Sequence, residues 1–328
     1  MTKVITVEEH FLYPSNAPQR PAEDVKVDPR GANPDQVAML LGDFEQRVAY
    51  MDQYGIDMQV ISNPNDPALT ETNPVKAVEL AQQTNNRLVT DMNKYPGRFA
   101  ALATLPLVDP EAAAVELQRA VTDNGLKGAL IAGVPFGHFL DEPQYLPIFA
   151  MAEKLDVPIY LHPGMPSKAE RDMLYRSPSY SDAIGDMLGS AGFGWHAEQG
   201  IQMMRLIMSG LFDKYPKLKL ISGHWGEMVP NFLERLDEFT GMVPNKLERK
   251  FSDYYRENVY ITASGMFTKP QMDLGLAEMG ASHVLWAEDY PYLLRKEQVA
   301  DFLNNADISG QDRELIAHVN SEQLFKLN

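Results

Sequence analysis

The chain of 328 residues contains no cysteine. It therefore has no disulfide framework and no thiolate ligand, so any bound metal must be held by histidine and carboxylate side chains. A chain without cysteine also fits a reducing compartment. We accordingly expect the protein to be located in the cytoplasm.

Positive charge and long apolar runs are also scarce. The sequence has 29 Lys and Arg residues against 45 Asp and Glu, which gives a formal net charge of −16. This charge disfavours nucleic acid or an anionic membrane as a partner, because their phosphates are repelled at long range. No run approaches the ~20 apolar residues of a membrane span, and the N-terminus has no basic-then-apolar leader. We expect a soluble protein whose substrate, if anionic, meets local Arg or His.

Short apolar segments rich in Val, Ile, Leu and Thr recur along the chain and alternate with segments of helical periodicity. The strand-like segments are 3–10, 57–63, 99–106, 126–134, 157–162, 218–224, 258–264 and 283–289. Helices are predicted over 44–55, 74–95, 110–125 and 196–215. Eight such alternations predict an α/β fold, a closed (β/α)8 TIM barrel. An open doubly wound sheet is disfavoured because no GxGxxG follows the first strand.

Two stretches interrupt this alternation. Residues 12–43 and 163–195 are rich in turn-forming residues and follow the first and fifth strands. They are predicted to be long loops on the face of the barrel that carries the active site, where they could cap it. Residues 309–327 read as a closing helical segment. Because no linker is evident, we expect a single domain over 1–328.

Four potential metal ligands fall at predicted strand ends: Glu8 and His10 in VEEHF, His162 in YLHPG and Asp289 in WAEDYPY. Residues two apart on a strand face the same side, so Glu8 and His10 are expected to point together. One Glu, two His and one Asp suit a single divalent ion with open positions for substrate.

The sixth predicted strand ends at His224, and Glu227 follows about a turn later. Catalytic groups of barrels come from such strand ends. Each residue also has a plainer interpretation. An isolated Glu or His beside a strand is usually a surface or satisfied polar group, and Glu227 could instead cap a helix beginning near Met228.

Taken together, VEEHF, YLHP, SGHWGE and EDYP, in this order, resemble the metal-dependent decarboxylases of the amidohydrolase superfamily. That branch includes the γ-resorcylate, 2,3-dihydroxybenzoate and 5-carboxyvanillate decarboxylases, and the likeness covers nearly the whole chain. Glu in place of the first His of the superfamily's HxH is characteristic of the hydroxybenzoate subset. The resemblance implies a Mn2+ or Zn2+ site and a homodimer or homotetramer. Its implied ligands are Glu8, His10, His162 and Asp289, with His224 and Glu227 as a supporting or catalytic pair.

The number of metals can also be predicted. Binuclear members of the superfamily usually bridge two ions with a carboxylated Lys at the end of strand 4. Here Lys127 lies at the beginning of that strand, and its end reads IAGV. We therefore expect one divalent metal.

Four residues are candidates for substrate contacts. Arg235 and Arg47 could bind a carboxylate or ring hydroxyl, whereas Phe193 and Trp195 could line an aromatic pocket. The alternatives are that both arginines solvate helix faces and that both aromatic residues pack in the core. The other histidines, at 138, 196, 283 and 318, and Glu9 are interpreted as structural.

The predicted reaction is the non-oxidative decarboxylation of an ortho-hydroxy aromatic acid. A metal can hold adjacent phenol and carboxylate oxygens, His224 oriented by Glu227 can take the phenolic proton, and Asp289 can deliver a proton to the ring carbon. A hydrolase or hydratase of the same superfamily, acting on a lactone or an oxo-dicarboxylate, is the alternative. A barrel that only binds its ligand is disfavoured by the intact ligand set.

Overall fold

The computed structural model describes residues 2–13 and 41–327, and eight short parallel strands lie in those ranges. Each lies within the apolar segment predicted for it. The strands are β1 (Ile5–His10), β2 (Met58–Ser62), β3 (Phe99–Ala101), β4 (Ala129–Ala132), β5 (Ile159–His162), β6 (Leu220–Ser222), β7 (Val259–Thr262) and β8 (Val284–Leu285).

The strands close into a barrel, as predicted. Parallel pairing of neighbouring strands forms one group in the order β1-β2-β3 and a second in the order β4-β5-β6-β7-β8. Backbone hydrogen bonds bridge both gaps. The Ala103 N–H donates to the Gly128 carbonyl at 2.8 Å, beside β3 and β4, and the Val7 N–H of β1 donates to the Trp286 carbonyl after β8, also at 2.8 Å. The ends of β1 and β8 are thereby brought side by side.

Helices surround the barrel and lie between successive strands. They are α1 (Phe44–Tyr54), α2 (Pro74–Met92), α3 (Pro110–Thr122), α4 (Leu146–Leu155), α5 (Lys168–Tyr175), α6 (Asp182–Leu188), α7 (Gly194–Met208), α8 (Leu211–Lys214), α9 (Leu233–Thr240), α10 (Phe251–Asn258), α11 (Lys269–Met279), α12 (Gln298–Asn305), α13 (Gly310–Glu314) and α14 (Asn320–Leu324). Short 3-10 turns lie at Pro67–Leu69, Pro135–Gly137, Pro143–Tyr145, Val229–Phe232 and Ala281–His283, and a π-helical turn at Leu315–Val319. No helix in the described ranges is both long and apolar enough to cross a bilayer.

Local sequence explains where these helices begin and end. Asp43 accepts a hydrogen bond from the Gln46 N–H at the start of α1, and Gly55 ends that helix in the left-handed conformation with φ 72°. The single helix predicted over 196–215 is wrong in one respect. Gly210, with φ 79°, separates α7 from α8.

Alternate strand residues form two apolar layers. Val7, Val60, Leu130 and Ile221 belong to a cluster inside the barrel, and the C-terminal Phe325 packs against it. The other face of the strands packs against the surrounding helices through a larger cluster. The barrel is therefore a filled core, which leaves the strand ends and their loops to form a site.

The prediction of one long loop after strand 5 is wrong, because the segment is largely helical. Residues 163–195 contain α5, α6 and the start of α7. Helix α5 begins with a capping box between Ser167 and Glu170, is eight residues long and buries none of them. The loop predicted over 12–43 falls mostly on residues 14–40, which lie outside the described residues.

Candidate metal centre and active site

The barrel brings the four predicted ligands together at the carboxyl ends of its strands. Glu8, His10 and His162 are buried or nearly so, and each offers a ligand atom within 4.8 Å of the others. His10 Nε2 also lies 3.2 Å from Asp289 Oδ1, and His162 Nε2 lies 3.7 Å from Glu8 Oε1. Two imidazoles and two carboxylates thus face one small volume.

Glu8 reaches this volume through a β-bulge. The pairing of β1 with β2 shifts register between Val7 and Glu9, and Glu8 between them has φ 66°. A bulge inserts one unpaired residue and re-aims its side chain. Glu8 and His10 therefore converge as predicted, but not through the regular strand alternation on which that prediction relied.

Hydroxyl groups hold one oxygen of Glu8 and leave the other available. The hydroxyls of Thr262, at 3.0 Å, and Ser264 both donate to Glu8 Oε2. Among the described residues, Glu8 Oε1 has no hydrogen-bond partner although it is buried. Gly223 permits this crowding, because a Cβ there would lie 3.0 Å from Glu8 Oε1.

The two histidines of the cluster are neutral and present lone pairs. Burial lowers the pKa of His10 to about 4. Burial and the neighbouring His10 lower the pKa of His162 to about 3. The Nδ1–H of His162 donates to the Pro163 carbonyl at 2.7 Å, which leaves Nε2 as the lone-pair nitrogen.

The donor set fits a divalent metal ion. Within the described part of the chain, His10 Nε2, like Glu8 Oε1, is buried without a hydrogen-bond partner. Leaving such atoms unsatisfied in a protein interior is costly. Imidazole nitrogen and carboxylate oxygen are suitable ligands for Zn2+ and Mn2+, so a bound cation would satisfy both atoms.

Glu9 connects β1 to the segment that carries Asp289. Its carboxylate accepts the backbone N–H groups of Glu288, at 2.9 Å, and Tyr290, at 2.8 Å. These two residues flank Asp289, which has φ 67°. Burial and the nearby Glu288 carboxylate raise the pKa of Glu9. Glu9 thus ties the end of β1 to the segment that carries the fourth candidate ligand.

The segment after β6 is a left-handed turn that carries the predicted catalytic pair. Its residues all have positive φ: His224 (47°), Trp225 (56°), Gly226 (81°), Glu227 (52°) and Met228 (68°). Each non-glycine residue in this region costs about 1–2 kcal/mol, and such strain concentrates at functional sites. The His224 N–H donates to the Ser264 hydroxyl at 3.0 Å, and the Trp225 ring N–H donates to the Met266 carbonyl at 2.9 Å.

This turn forms a charged pair beside the metal cluster. His224 Nδ1–H donates to Glu227 Oε1 at 2.7 Å and lies 3.8 Å from Glu8 Oε1. Burial opposes the charge on His224, but the carboxylates of Glu227 and Glu8 overcome it and raise its pKa to about 10. Burial is likewise outweighed at Glu227, whose pKa His224 and His196 lower to about 2. The two side chains therefore stabilise each other's charged form.

His196 is a neighbour that the sequence interpretation missed. Its Nδ1 lies 2.7 Å from Glu227 Oε2, and its ring centroid lies 4.4 Å from that of His224. The sequence around His196 contains no motif that marks it. Its contact with Glu227 arises only when α7 packs against the turn after β6. Tyr292 was also not selected, although its ring lies 5.5 Å from that of His10. Its position directly after EDYP was the available signal.

Arg47 is placed differently from the substrate contact predicted for it. It is fully buried; its Nη1–H donates to Gln59 Oε1 at 3.0 Å, and its Nη2–H donates to the His10 carbonyl. The guanidinium also lies 4.5 Å from the Tyr290 ring centroid. Arg47 points inward because α1 packs its buried face on the barrel, and there it supports the backbone of His10.

The other three predicted substrate contacts lie on segments that follow β5 and β6. Trp195 is partly buried, with its ring N–H 3.2 Å from His196 Nε2. Phe193 is 47% exposed at the beginning of α7. Arg235 lies on α9 with a side chain that is 65% exposed, 5.0 Å from the Phe239 ring centroid. Their contact with substrate stays a prediction.

A family model described as amidohydrolase matches residues 10–327. The chain belongs to the amidohydrolase family. The γ-resorcylate decarboxylase of Polaromonas sp. strain JS666 is 34% identical to this amidohydrolase, over 100% of both chains. The crystal structure of 2,6-dihydroxybenzoate decarboxylase from Rhizobium matches it with a TM-score of 0.87 and 34% identity, over 100% of this chain and 99% of that one.

A second solved relative contains a metal. The dihydroxybenzoic acid decarboxylase of Polaromonas sp. JS666, with bound manganese and the inhibitor 2-nitroresorcinol, matches this amidohydrolase with a TM-score of 0.86 and 34% identity. The alignment covers 100% of this chain and 98% of that one. The family predicted from the motifs and the barrel predicted from the alternation of strands and helices are therefore confirmed.

Proposed function

We propose that this amidohydrolase is a metal-dependent carboxy-lyase that removes CO2 from an ortho-hydroxy aromatic acid without oxidation. The observation that carries the proposal is the buried group of Glu8, His10 and His162 beside the charged pair of His224 and Glu227. Full-length similarity to decarboxylases of dihydroxybenzoates supports the substrate class, a small aromatic carboxylate.

The metal is one Mn2+ or Zn2+, held by Glu8, His10, His162 and Asp289. When bound, it supplies a template and a charge sink for adjacent phenol and carboxylate oxygens of the substrate. The neutral imidazoles and the unpaired Glu8 oxygen support this ligand assignment. Manganese in the similar decarboxylase of Polaromonas supports the choice of ion.

The residues around the substrate handle protons. Because the Nδ1–H of His224 is donated to Glu227, Nε2 is the ring nitrogen that can contact the phenolic oxygen. A charged His224 donates its Nε2–H to the phenolate there, and a neutral His224 accepts the phenolic proton at the same atom. Asp289, at the rim of the cluster, takes up a proton from solvent and delivers it to the ring carbon that bears the carboxylate. The bond to the carboxylate then breaks, its electron pair restores the aromatic ring, and CO2 leaves.

A substrate panel tests the proposal. The enzyme, loaded with Mn2+ or Zn2+, is mixed with 2,6- and 2,3-dihydroxybenzoate and with benzoate and 4-hydroxybenzoate, and CO2 release is followed. We expect turnover of at least one ortho-hydroxy acid, none of the two acids without an ortho-hydroxyl, and none with metal-free enzyme. Equal turnover without the ortho-hydroxyl would contradict the proposal. So would hydrolysis of a lactone, or hydration of an oxo-dicarboxylate, with no CO2 from any hydroxy acid.

We also propose a cytoplasmic enzyme built as one domain over 1–328 and assembled as a homodimer or homotetramer. The family match over 10–327 supports the single domain. The homodimer or homotetramer is what the resemblance to the decarboxylase branch implies. Light scattering on the eluting protein measures the assembly.

A further inference from the structure

Glu227 bridges two histidines that come from different elements. Its Oε1 accepts the Nδ1–H of His224 and its Oε2 accepts the Nδ1–H of His196, both at 2.7 Å. The Glu227 side chain is 0% exposed, whereas that of His196 is 16% exposed. Both carboxylate oxygens are therefore engaged, and rotation of the carboxylate would break two charge-assisted hydrogen bonds in the interior.

The approach of α7 to the turn after β6 is built into the sequence. Gly200 lies one helical turn beyond His196 on α7. A Cβ at Gly200 would lie 2.6 Å from the Glu227 carbonyl oxygen, closer than real Cβ atoms come to backbone. A glycine at this point lets the helix lie against the turn and brings His196 within reach of Glu227.

The far edge of the His196 ring is also tied down. Its Nε2 accepts the Trp195 ring N–H at 3.2 Å and lies 3.0 Å from the Ala191 carbonyl oxygen, in the segment that precedes α7. The Trp195 ring stands perpendicular to the His196 ring, with centroids 6.1 Å apart. A ring held on two edges presents its Nδ1–H to Glu227 in one fixed direction.

We infer that His196 is a positioning residue, which holds Glu227 so that Glu227 keeps the Nδ1 of His224 protonated and fixes the orientation of its ring. Its effect on turnover rests on the proposed decarboxylation, but the coupling of the three side chains does not. Without His196, one oxygen of Glu227 is buried with no donor, so the carboxylate turns and releases His224 Nδ1. His224 Nε2 then loses its fixed direction toward the substrate, while the four metal ligands keep their positions.

The test compares two variants of His196 with a matched control. His196→Ala removes the Nδ1–H, whereas the amide of His196→Asn can replace it. His318 is the control, because its Nδ1 lies 3.0 Å from Glu322 Oε2 and its side chain is 15% exposed, close to His196 in both respects but on the C-terminal helices. Circular dichroism and metal content are measured for every variant.

We expect His196→Ala to lose kcat by roughly 10- to 100-fold, a part of the ~10²–10⁴-fold that a general acid–base group contributes. KM changes less than about two-fold and one metal per chain is retained, since His196 contacts neither the metal ligands nor the proposed substrate position. His196→Asn recovers most of the kcat, and His318→Ala keeps the wild-type value. A wild-type kcat in His196→Ala, or loss of metal in parallel with activity, would overturn the inference.

A readout independent of activity uses the imidazole nitrogen NMR signals of the zinc-loaded protein, which has seven histidines. His224→Gln assigns the His224 signals. In wild type we expect a slowly exchanging Nδ1–H on His224, which is lost in His196→Ala and returns in His196→Asn. If this pattern holds while no hydroxy acid is decarboxylated, the proposed function fails and the inference stands. If His224 keeps its Nδ1–H signal in His196→Ala, the inference fails whatever the reaction.

Discussion

At the scale of single residues, Glu9 is the clearest case of a buried side chain that acts on its neighbours. It lies between Glu8 and His10 in the chain, and it holds the N–H groups on both sides of Asp289. Both of these hydrogen bonds are with backbone groups, so they fix the backbone on either side of Asp289 and thereby the position from which its side chain extends. The position of Asp289, the fourth proposed ligand, therefore depends on one carboxylate of β1.

Replacement of Glu9 with Gln should weaken metal binding by about 10- to 100-fold, the usual effect of losing a group that orients metal ligands. The amide of Gln can accept only one of the two N–H groups, so one side of Asp289 is released. Titration of metal-free enzyme with Mn2+ measures the change. Glu116→Gln is the control, because Glu116 is an equally buried carboxylate that binds Asn85 and Arg119 elsewhere. Equal Mn2+ affinity in both variants would show that Glu9 does not position Asp289.

Residues that end strands were the ones that sequence could predict. Glu8, His10, His162, His224 and Asp289 all follow apolar runs, and the structure brings them together. His196 and Glu9 could not be assigned in this way, because their roles depend on contacts between distant elements, α7 with the turn after β6 and β1 with the segment after β8. Arg47 was misplaced for the same reason, since its burial depends on how α1 packs.

At the scale of elements, the left-handed turn after β6 is the most constrained segment of the site. Gly226 lies at its centre with φ 81°, and a Cβ there would lie 2.5 Å from the Tyr255 hydroxyl. Gly137, after β4, has the same φ of 81° but open space around its missing Cβ. Alanine substitutions at Gly137 and Gly226 therefore separate the energetic cost of the left-handed backbone conformation from the cost of steric crowding.

Gly137→Ala should lower the free energy of unfolding by about 1–2 kcal/mol, the cost of a left-handed alanine. Gly226→Ala should lower it by about 1–3 kcal/mol more, because the methyl group overpacks the turn, and should displace His224 and Glu227. Urea denaturation measures both values, and the decarboxylation rate measures the displacement. Similar losses of stability in the two variants, with full activity in Gly226→Ala, would contradict the crowding seen at the turn.

Apolar runs located all eight strands because a strand buried on both faces is continuously apolar. Helices α5 and α6 were missed because they have only eight and seven residues and bury no apolar side chain, so each is too short to show a sustained period. The β-bulge at Glu8 could also not be predicted from the sequence, because the residue pattern of β1 gives no sign of an inserted residue.

At the scale of the whole molecule, the site exists only when the barrel is closed. His10 and Asp289 lie at opposite ends of the chain, and the His10 N–H donates to the Tyr290 carbonyl at 2.6 Å where β1 meets the segment after β8. A metal ion held by Glu8, His10, His162 and Asp289 would link β1, β5 and β8. Metal binding and folding should therefore be coupled.

Addition of Mn2+ to metal-free enzyme should raise Tm, with a stabilisation of about 2.7 kcal/mol at 100 times the Kd. His10→Ala should abolish this rise, because it removes a ligand. His224→Ala should keep it, because His224 is assigned to proton handling and not to the metal. Thermal unfolding with and without Mn2+ gives the three values. Loss of the rise in His224→Ala would make His224 a ligand and would require another residue as the acid–base group.

The central claim is that the enzyme protonates a ring carbon and expels CO2 from it, and turnover in D2O tests this most directly. The hydroxy acid found active in the panel is converted in D2O, and the product is analysed by NMR and mass spectrometry, with product incubated without enzyme as the exchange control. We predict one CO2 per product and one deuterium at the former carboxyl position. A product that carries no deuterium there, or one that gains water without loss of CO2, would contradict the account.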